Sequence, residues 1–517
     1  MADNDMDVVP DDIDEEWSLS RRKALSAAGA MSAAALAGCS SGGNGNGGGG
    51  NGSGGGGGGG GDGDGDGGSS EVGGEVLFIT DYSNEAWQTK WEDDLVPGFE
   101  DGNDDGTTVN VRYSGFSGNQ ESELGRLVQA GDPPELNTST FEQVGDFFAE
   151  GYFADVGDVV AEAEELNGEL IGTPYSIQRE DETDTFYELP HGAYVGTFLY
   201  RTDVYDQLGL DVPSNFQEVM ENARTIDESS MDVRGYGLAG QRTGKAHDEF
   251  QTYLSLMGAN ELGFVNPDAD NLAEAEVELL YEENEDTIVR LLEFMGDLAE
   301  YSYDPTSLGW GSSIQNWVSG SFAQQYHLNA WPVSAAAGAG VDAIVDNTGV
   351  AILPLWEEGG ISREETQLTN PTMDGHHLFD SADMTEGGRD FLSYCYGQDE
   401  TRGRNMYATE PGRFLPAFSD IVDSEEFASY EQFQEYPQTL EQMRTVANDI
   451  YPNSYGLNDT PGVLANSPIG VYYFRSFHQA EMVNDVVTGS STPQEAYEYG
   501  KGEAERLMEE AREAFDR

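Results

Sequence analysis

From residue 75 onward, short apolar runs alternate with amphipathic stretches of helical length, and this alternation limits the possible folds more than any other feature. Val76-Leu77-Phe78-Ile79-Thr80 reads as a buried strand. A helix is expected over about 85–99, a second strand over Thr108–Tyr113, and a second helix over Gln120–Ala130. Leu124, Leu127 and Val128 share one face of that second helix. Gly131-Asp132-Pro133-Pro134 breaks it before a third strand at Glu135–Thr138. Strands and helices taking turns at these lengths predict an α/β fold, with a mainly parallel sheet covered by helices on both faces. The 517 residues are enough for two domains with substantial cores. Later in the chain, Ser214 with Gln217, and Thr492-Pro493 with Glu495, carry the residue pattern of a capped helix start.

Two segments of another kind precede this part of the chain. Residues 20–25 read Ser-Arg-Arg-Lys-Ala-Leu, close to a twin-arginine export pattern. A weakly apolar run follows, Ala24–Gly38, too short to span a bilayer as a stable helix. It ends in Leu36-Ala37-Gly38-Cys39, which resembles a lipobox, so residues 1–39 are expected to be a signal segment with Cys39 as the lipidated residue. Eight acidic residues before Arg21 depart from an ordinary leader. Residues 40–74 are almost entirely Gly, Asn, Ser and Asp and have almost no apolar side chains to bury. A flexible tether of this length spans ~30–35 Å. A glycine-rich phosphate loop would need a strand before it and a helix after it, and this run has neither.

Composition excludes several partners. The chain has 97 acidic and 24 basic residues, a formal net charge of −73, so nucleic acids and anionic membranes would be repelled. Membrane contact is therefore expected through the lipid anchor alone. The acids are spread along the chain, and 38% apolar with 11% aromatic residues can fill real cores. Only Lys23, Lys90, Lys245 and Lys501 are lysines. Abundant Asp and Glu with so little Lys resembles haloarchaeal proteins, whose self-repulsion is screened at molar salt, where the Debye length is about 3 Å. Two cysteines, Cys39 and Cys395, make no disulfide framework.

Five stretches in order resemble the extracellular solute-binding proteins of carbohydrate ABC importers, the maltose-binding type. They are the opening strand with Trp91, Phe99-Glu100 and Val109–Tyr113; Ala130–Leu136; Leu199–Val204 through Gly209–Glu218; Trp317–Ala323 running to Ala330-Trp331-Pro332; and Val487–Gly489 with Ser491–Ala496. Arg201 and Phe216 depart mildly from the family, which usually has Asn and Trp near those places. The resemblance implies two α/β lobes with a ligand cleft between them. The first would take residues 75–190 and 375–415, the second 191–374 and 416–517. It also implies a monomeric binding protein without cofactor or catalysis, held at the extracellular face of the membrane. Its partners would be a sugar and the permease subunits of a transporter.

A sugar presents apolar C–H faces and a rim of hydroxyls, so its site wants aromatic platforms and polar side chains in bidentate arrangements. Candidates at the carboxyl ends of the first strands are Asp81, Tyr82, Ser139, Thr140 and Glu142. Trp331 lies where the family places a cleft aromatic; Trp310 and Tyr326 are further aromatic candidates. Asp374 and His376 occupy Met373-Asp374-Gly375-His376-His377, where the family usually has a glycine-rich crossover. Arg413 could clamp a carboxylate or a hydroxyl pair, or form a structural ion pair. Adjacent His376 and His377 would point opposite ways on an extended segment, so no metal is expected there. Two other readings remain: the same fold binding a polyol, glycerol phosphate or peptide, and a surface-anchored glycoside-acting enzyme.

Overall fold

The structure is a computed structural model that describes residues 73–114, 119–140, 144, 147, 151–171, 186–265, 277–356, 372–450, 469–470, 473 and 476–514. The expected signal segment with Cys39, the body of the tether and Glu142 lie outside the described residues.

The opening strand β1 (Glu75–Thr80) pairs in parallel with β2 (Thr108–Tyr113) and β3 (Leu136–Thr140), with Phe78 opposite both Val111 and Leu136. The helix between β1 and β2 starts at Glu85, capped by Asn84, whose side chain accepts from the Trp87 amide. It passes through a π-turn at Lys90–Leu95 and continues as Val96–Gly102. Pro97 has no N–H to donate, and the wider turn just before it absorbs that interruption. Phe78, Trp87, Trp91 and Phe99 are buried from these elements, each contributing ~1.5–3 kcal/mol of burial.

Strand β4 (Leu189–Tyr194) runs into β5 (Gly196–Arg201) with only Val195 between them. After the short pair β6 (Leu262–Phe264) and β7 (Val277–Leu279) come β8 (Gln324–Leu328), β9 (Thr348–Ala351), β10 (Thr372–Leu378) and β11 (Leu415–Pro416). They form a six-stranded sheet in the order β11-β4-β10-β3-β1-β2, and a three-stranded sheet β8-β5-β9. The expectation of a mainly parallel sheet needs correction. Among the named strands of the described residues, only the β1–β2 and β1–β3 pairings are parallel; β10 pairs antiparallel with β3 and β4, β11 pairs antiparallel with β4, and both β5 pairings are antiparallel. The cause is the chain path. β4 leaves the large sheet at the edge where β1 and β3 end, and β10 enters the sheet at that same edge, so it must run backwards.

Two cores accompany the two sheets. One is built around Phe78, Trp91, Leu136, Phe391 and Tyr396, the other around Phe198, Phe250, Leu291, Tyr326 and Met482. The helix Pro437–Thr445 lies beside β9, where the Gln442 side-chain amide donates to the Thr348 carbonyl at 2.8 Å. The C-terminal helix Pro493–Ala514 begins with the expected capping box: the Thr492 amide and hydroxyl both donate to Glu495, whose amide donates back to the Thr492 hydroxyl. At the other expected cap the boundary moves by one residue. Asn215 is the N-cap, accepting from the Glu218 amide at 2.8 Å, and Ser214 instead donates to the Glu218 carboxylate.

Candidate ligand site at the seam of the two sheets

Where β4 becomes β5, one buried side chain fastens three chain segments together. Asn329, 2% exposed and in the left-handed region at φ +47°, accepts from the Val195 amide at 3.0 Å. Its side-chain NH2 donates to the Ala193 carbonyl at 2.8 Å and the Arg413 carbonyl at 2.7 Å. Its own amide donates to the Val195 carbonyl, and its carbonyl accepts from the Thr197 hydroxyl at 2.6 Å. Asn tolerates this backbone conformation better than most residues because its short polar side chain bonds locally. The knot holds the end of the large sheet, the start of the small one and the approach to β11 in register.

Around it lies a polar cluster walled by aromatic rings. Glu410-Pro411-Gly412-Arg413 is a tight turn closed by the Arg413 amide on the Glu410 carbonyl, with Gly412 at φ +92°. Pro at the second position and Gly at the third is the pattern of a type II turn. The turn aims both charged side chains the same way. Arg413 donates through Nη1 to Glu410 Oε2 at 3.1 Å and through Nε to the Tyr194 hydroxyl at 3.0 Å. Its Nη2 stands 3.7 Å from Asp81 Oδ2. Glu410 also accepts from two indoles, Trp331 Nε1 at 2.9 Å and Trp87 Nε1 at 3.0 Å. The guanidinium carbon sits 4.6 Å from the Trp331 ring centre and 5.0 Å from that of Tyr82, within cation–π range.

Trp331 opens the helix Trp331–Gly338 and is 7% exposed. Its ring is stacked 5.9 Å from Tyr194 and 6.5 Å from Trp310, with interplanar angles of 25° and 28°. Three nearly parallel rings thus run from β4 across to the first residue of the helix Trp310–Val318. His327 of β8 packs edge-on to both tryptophans. Lys245 is fully buried behind Trp310, 5.2 Å from its ring centre, and donates to the Tyr326 carbonyl at 2.9 Å.

Two carboxylates of the cluster, Asp81 and Asp374, are strongly perturbed. Asp81 follows β1, and Asp374 near the start of β10 is registered against Thr140 at the end of β3. Burial pushes Asp81 up to about 6, against the pull of Arg413 and its own backbone hydrogen bond. Asp374 is raised well above the carboxylate range by burial and by Asp81, with Arg413 and the Tyr194 hydroxyl acting in the opposite sense. Asp81 Oδ1 and the Tyr82 hydroxyl are buried with no hydrogen-bond partner among the described residues, and the Asp374 oxygens have none but the Tyr194 hydroxyl.

The sequence candidates therefore separate. Asp81, Asp374, Arg413, Trp331 and Trp310 come together at the seam. Tyr82 borders the same cluster but lies flat in the core, 4.7 Å from Trp87 and fully buried. His376 faces inward, with Nδ1 at 2.8 Å from the Thr138 hydroxyl and Nε2 at 2.7 Å from the Tyr396 hydroxyl, so both ring nitrogens are engaged. His377 points to the other side, stacked 4.8 Å from Phe153. Ser139 is buried and accepts from the Asn137 amide at 2.7 Å. Tyr326 is buried in the second core, its hydroxyl accepting from Thr252 at 3.3 Å. Thr140 closes β3. Among the described residues, no group of three or more His, Cys, Asp or Glu is placed to hold a metal ion.

Sequence reasoning missed Glu410, His327 and Asn329. The Pro-Gly turn that folds Glu410 back onto Arg413 was readable. Asn329 gave no local signal, because all its partners are distant in sequence.

Acceptor-rich carboxylates beside stacked rings suit a neutral or cationic hydroxylated molecule, with ring faces for its C–H surface. No protein-family model matches the chain, and no curated protein matches it by sequence. Solved structures do match. The GacH receptor of Streptomyces glaucescens, studied unliganded and with acarbose, superposes with a TM-score of 0.62 at 17% identity, over 85% of this chain and 99% of that one. A solute-binding protein of Agrobacterium radiobacter in complex with ribitol gives 0.62 at 18% identity, over 84% and 99%. The maltose/maltodextrin-binding domain MalE of Bdellovibrio bacteriovorus, bound to maltotriose, gives 0.57 at 17% identity, over 84% and 100%. The chain has the two-lobed α/β fold of these solute-binding proteins.

Proposed function

We propose that this chain captures a sugar or polyol at the seam of its two sheets and delivers it to the permease of an ABC importer. The observation that carries the reading is the cluster of Asp81, Asp374, Glu410 and Arg413 walled by Tyr194, Trp331 and Trp310, which joins hydroxyl-binding groups to ring platforms. Acarbose, ribitol and maltotriose, bound by the three structural relatives, belong to the same hydroxylated class. The cluster draws on both sheets, so a solute bridging them would favour a closed arrangement through its own affinity. No catalysis is part of this reading.

The sequence adds where this happens. Arg21-Arg22, the run to Gly38 and Cys39 support twin-arginine export with a lipid anchor, and the glycine-rich segment after it a tether at the extracellular face. The acid excess with four lysines supports a halophilic, archaeal source. Among the described residues no helix is long and apolar enough to cross a membrane. The test is a thermal-shift screen of neutral and charged sugars, polyols and oligosaccharides in molar KCl, with chromatography for released products. A bound solute raises the melting temperature by mass action. Stabilisation with every oligosaccharide recovered intact supports capture, and product release would establish the enzyme reading in its place.

A further inference from the structure

The seam holds more acceptors than its own donors can satisfy, and this says something about the charge of the solute. Asp81 and Asp374 are 8% and 1% exposed. Asp81 Oδ1 has no hydrogen-bond partner among the described residues, and the two Asp374 oxygens have none but the Tyr194 hydroxyl, which Arg413 already engages. Arg413 is held by Glu410 and Tyr194, and reaches Asp81 only at 3.7 Å. The titratable groups facing the pair are Tyr82 beyond β1, Glu188 and Tyr194 at the two ends of β4, Tyr396 on the helix Thr385–Tyr396, and Glu410 and Arg413 from the turn. Arg413 is thus the single cation facing Asp81, Asp374, Glu188 and Glu410 among the described residues. His191 and His376, packed nearby, are held neutral by burial. Two buried carboxylates that share one guanidinium with Glu410 cannot both stay ionised, so one keeps a proton.

Resting on the solute-binding reading above, we propose that the solute captured here carries a protonated amine beside its hydroxyls: an amino sugar or an amino polyol. An ammonium brings three N–H donors, no acceptor, and the positive charge that the pair lacks. It would take the place of the retained proton, which leaves to solvent. A hydroxyl brings one donor with two more lone pairs, into a region already rich in acceptors.

The test uses the full chain in molar KCl and matched probes: glucosamine against glucose, and a glucosamine trimer against maltotriose. Each is titrated calorimetrically near pH 6 in two buffers of different ionisation enthalpy, which counts protons released. The expected result is at least about tenfold tighter binding of the amine member of a pair, the scale of one charge-assisted hydrogen bond. Proton release into the buffer should accompany it, and Asp374→Asn should reduce the preference towards one. The wild-type comparison stands even if that variant does not fold. Equal or tighter binding of the neutral members overturns the amine assignment and leaves sugar capture intact. An amine preference without proton release, or one that persists in Asp374→Asn, removes the pair from the explanation. Binding by no probe of either kind overturns the amine assignment and the sugar reading together.

Discussion

Replacing Asn329 by alanine removes the knot that holds the seam, and the structure sets the size of the effect. Three side-chain hydrogen bonds disappear, to the Val195 amide, the Ala193 carbonyl and the Arg413 carbonyl. Each is worth about 1 kcal/mol net, and leaving the buried Val195 amide without its acceptor adds about 1–3 kcal/mol. Alanine at φ +47° costs roughly 1 kcal/mol more than asparagine there. The sum is a destabilisation of about 5–7 kcal/mol. Asn329→Gly separates the terms, because glycine accepts the backbone conformation and loses only the hydrogen bonds. It should be more stable than Asn329→Ala by about 1 kcal/mol. Urea unfolding in molar KCl, followed by tryptophan fluorescence, measures all three proteins. An alanine variant within about 1 kcal/mol of wild type would refute the knot, and a glycine variant less stable than alanine would refute the backbone argument.

Acid should unfold the protein early. All six histidines are buried and held neutral, with His247 and His377 near 4, His376 and His478 near 3, and His191 and His327 also depressed. Below about pH 6.5 the unfolded chain binds protons that the folded chain refuses, so each histidine costs roughly 1.4 kcal/mol for every pH unit down to its folded value. Asp81 (about 6), Glu261 (about 7), Asp374, Glu249, Glu135 and Asp390 have raised values and act oppositely, gaining stability as pH falls through them. Every unfolded imidazole takes up its proton across this window while only part of the carboxylate gain falls inside it, so stability should fall between pH 6.5 and 5; a melting temperature that rises steadily over that range contradicts the burial of the histidines. Dilution from molar KCl should unfold the chain, since 97 acids face 24 bases; a salt-independent melting temperature would sink that expectation. Cys39→Ser should leave export intact and release the protein from the membrane, and full membrane retention would disprove the anchor.

What could be read from the sequence followed from local physics. The runs at Val76–Thr80 and Thr108–Tyr113 became neighbouring parallel strands, and Thr492 with Glu495 formed its capping box, because each depends on residues close in the chain. Strand direction in the rest of the large sheet was hidden. β10 is antiparallel because the chain returns to the sheet from the small one, which no local pattern encodes. The cap moved from Ser214 to Asn215 because two good capping residues stood side by side. Among site candidates, an acid after a strand and an acid within one look alike in sequence. The fold brought Asp81 and Asp374 together and buried His376 against Tyr396 on the same strand. Glu410 was missed because its turn was read for Arg413 alone.

A solute held at the seam must rest on Trp331. The indole stacks between Tyr194 and Trp310 and donates to Glu410. A sugar or amino sugar found to bind in molar KCl should be titrated against wild type and Trp331→Ala, with urea unfolding of each in the same buffer. Removing the platform should cost ~1.5–3 kcal/mol of binding, a loss of roughly tenfold to hundredfold in affinity. Unchanged affinity in a variant destabilised by about 3–5 kcal/mol, the cost of an emptied core position, would make Trp331 a packing residue and move the solute site away from the seam.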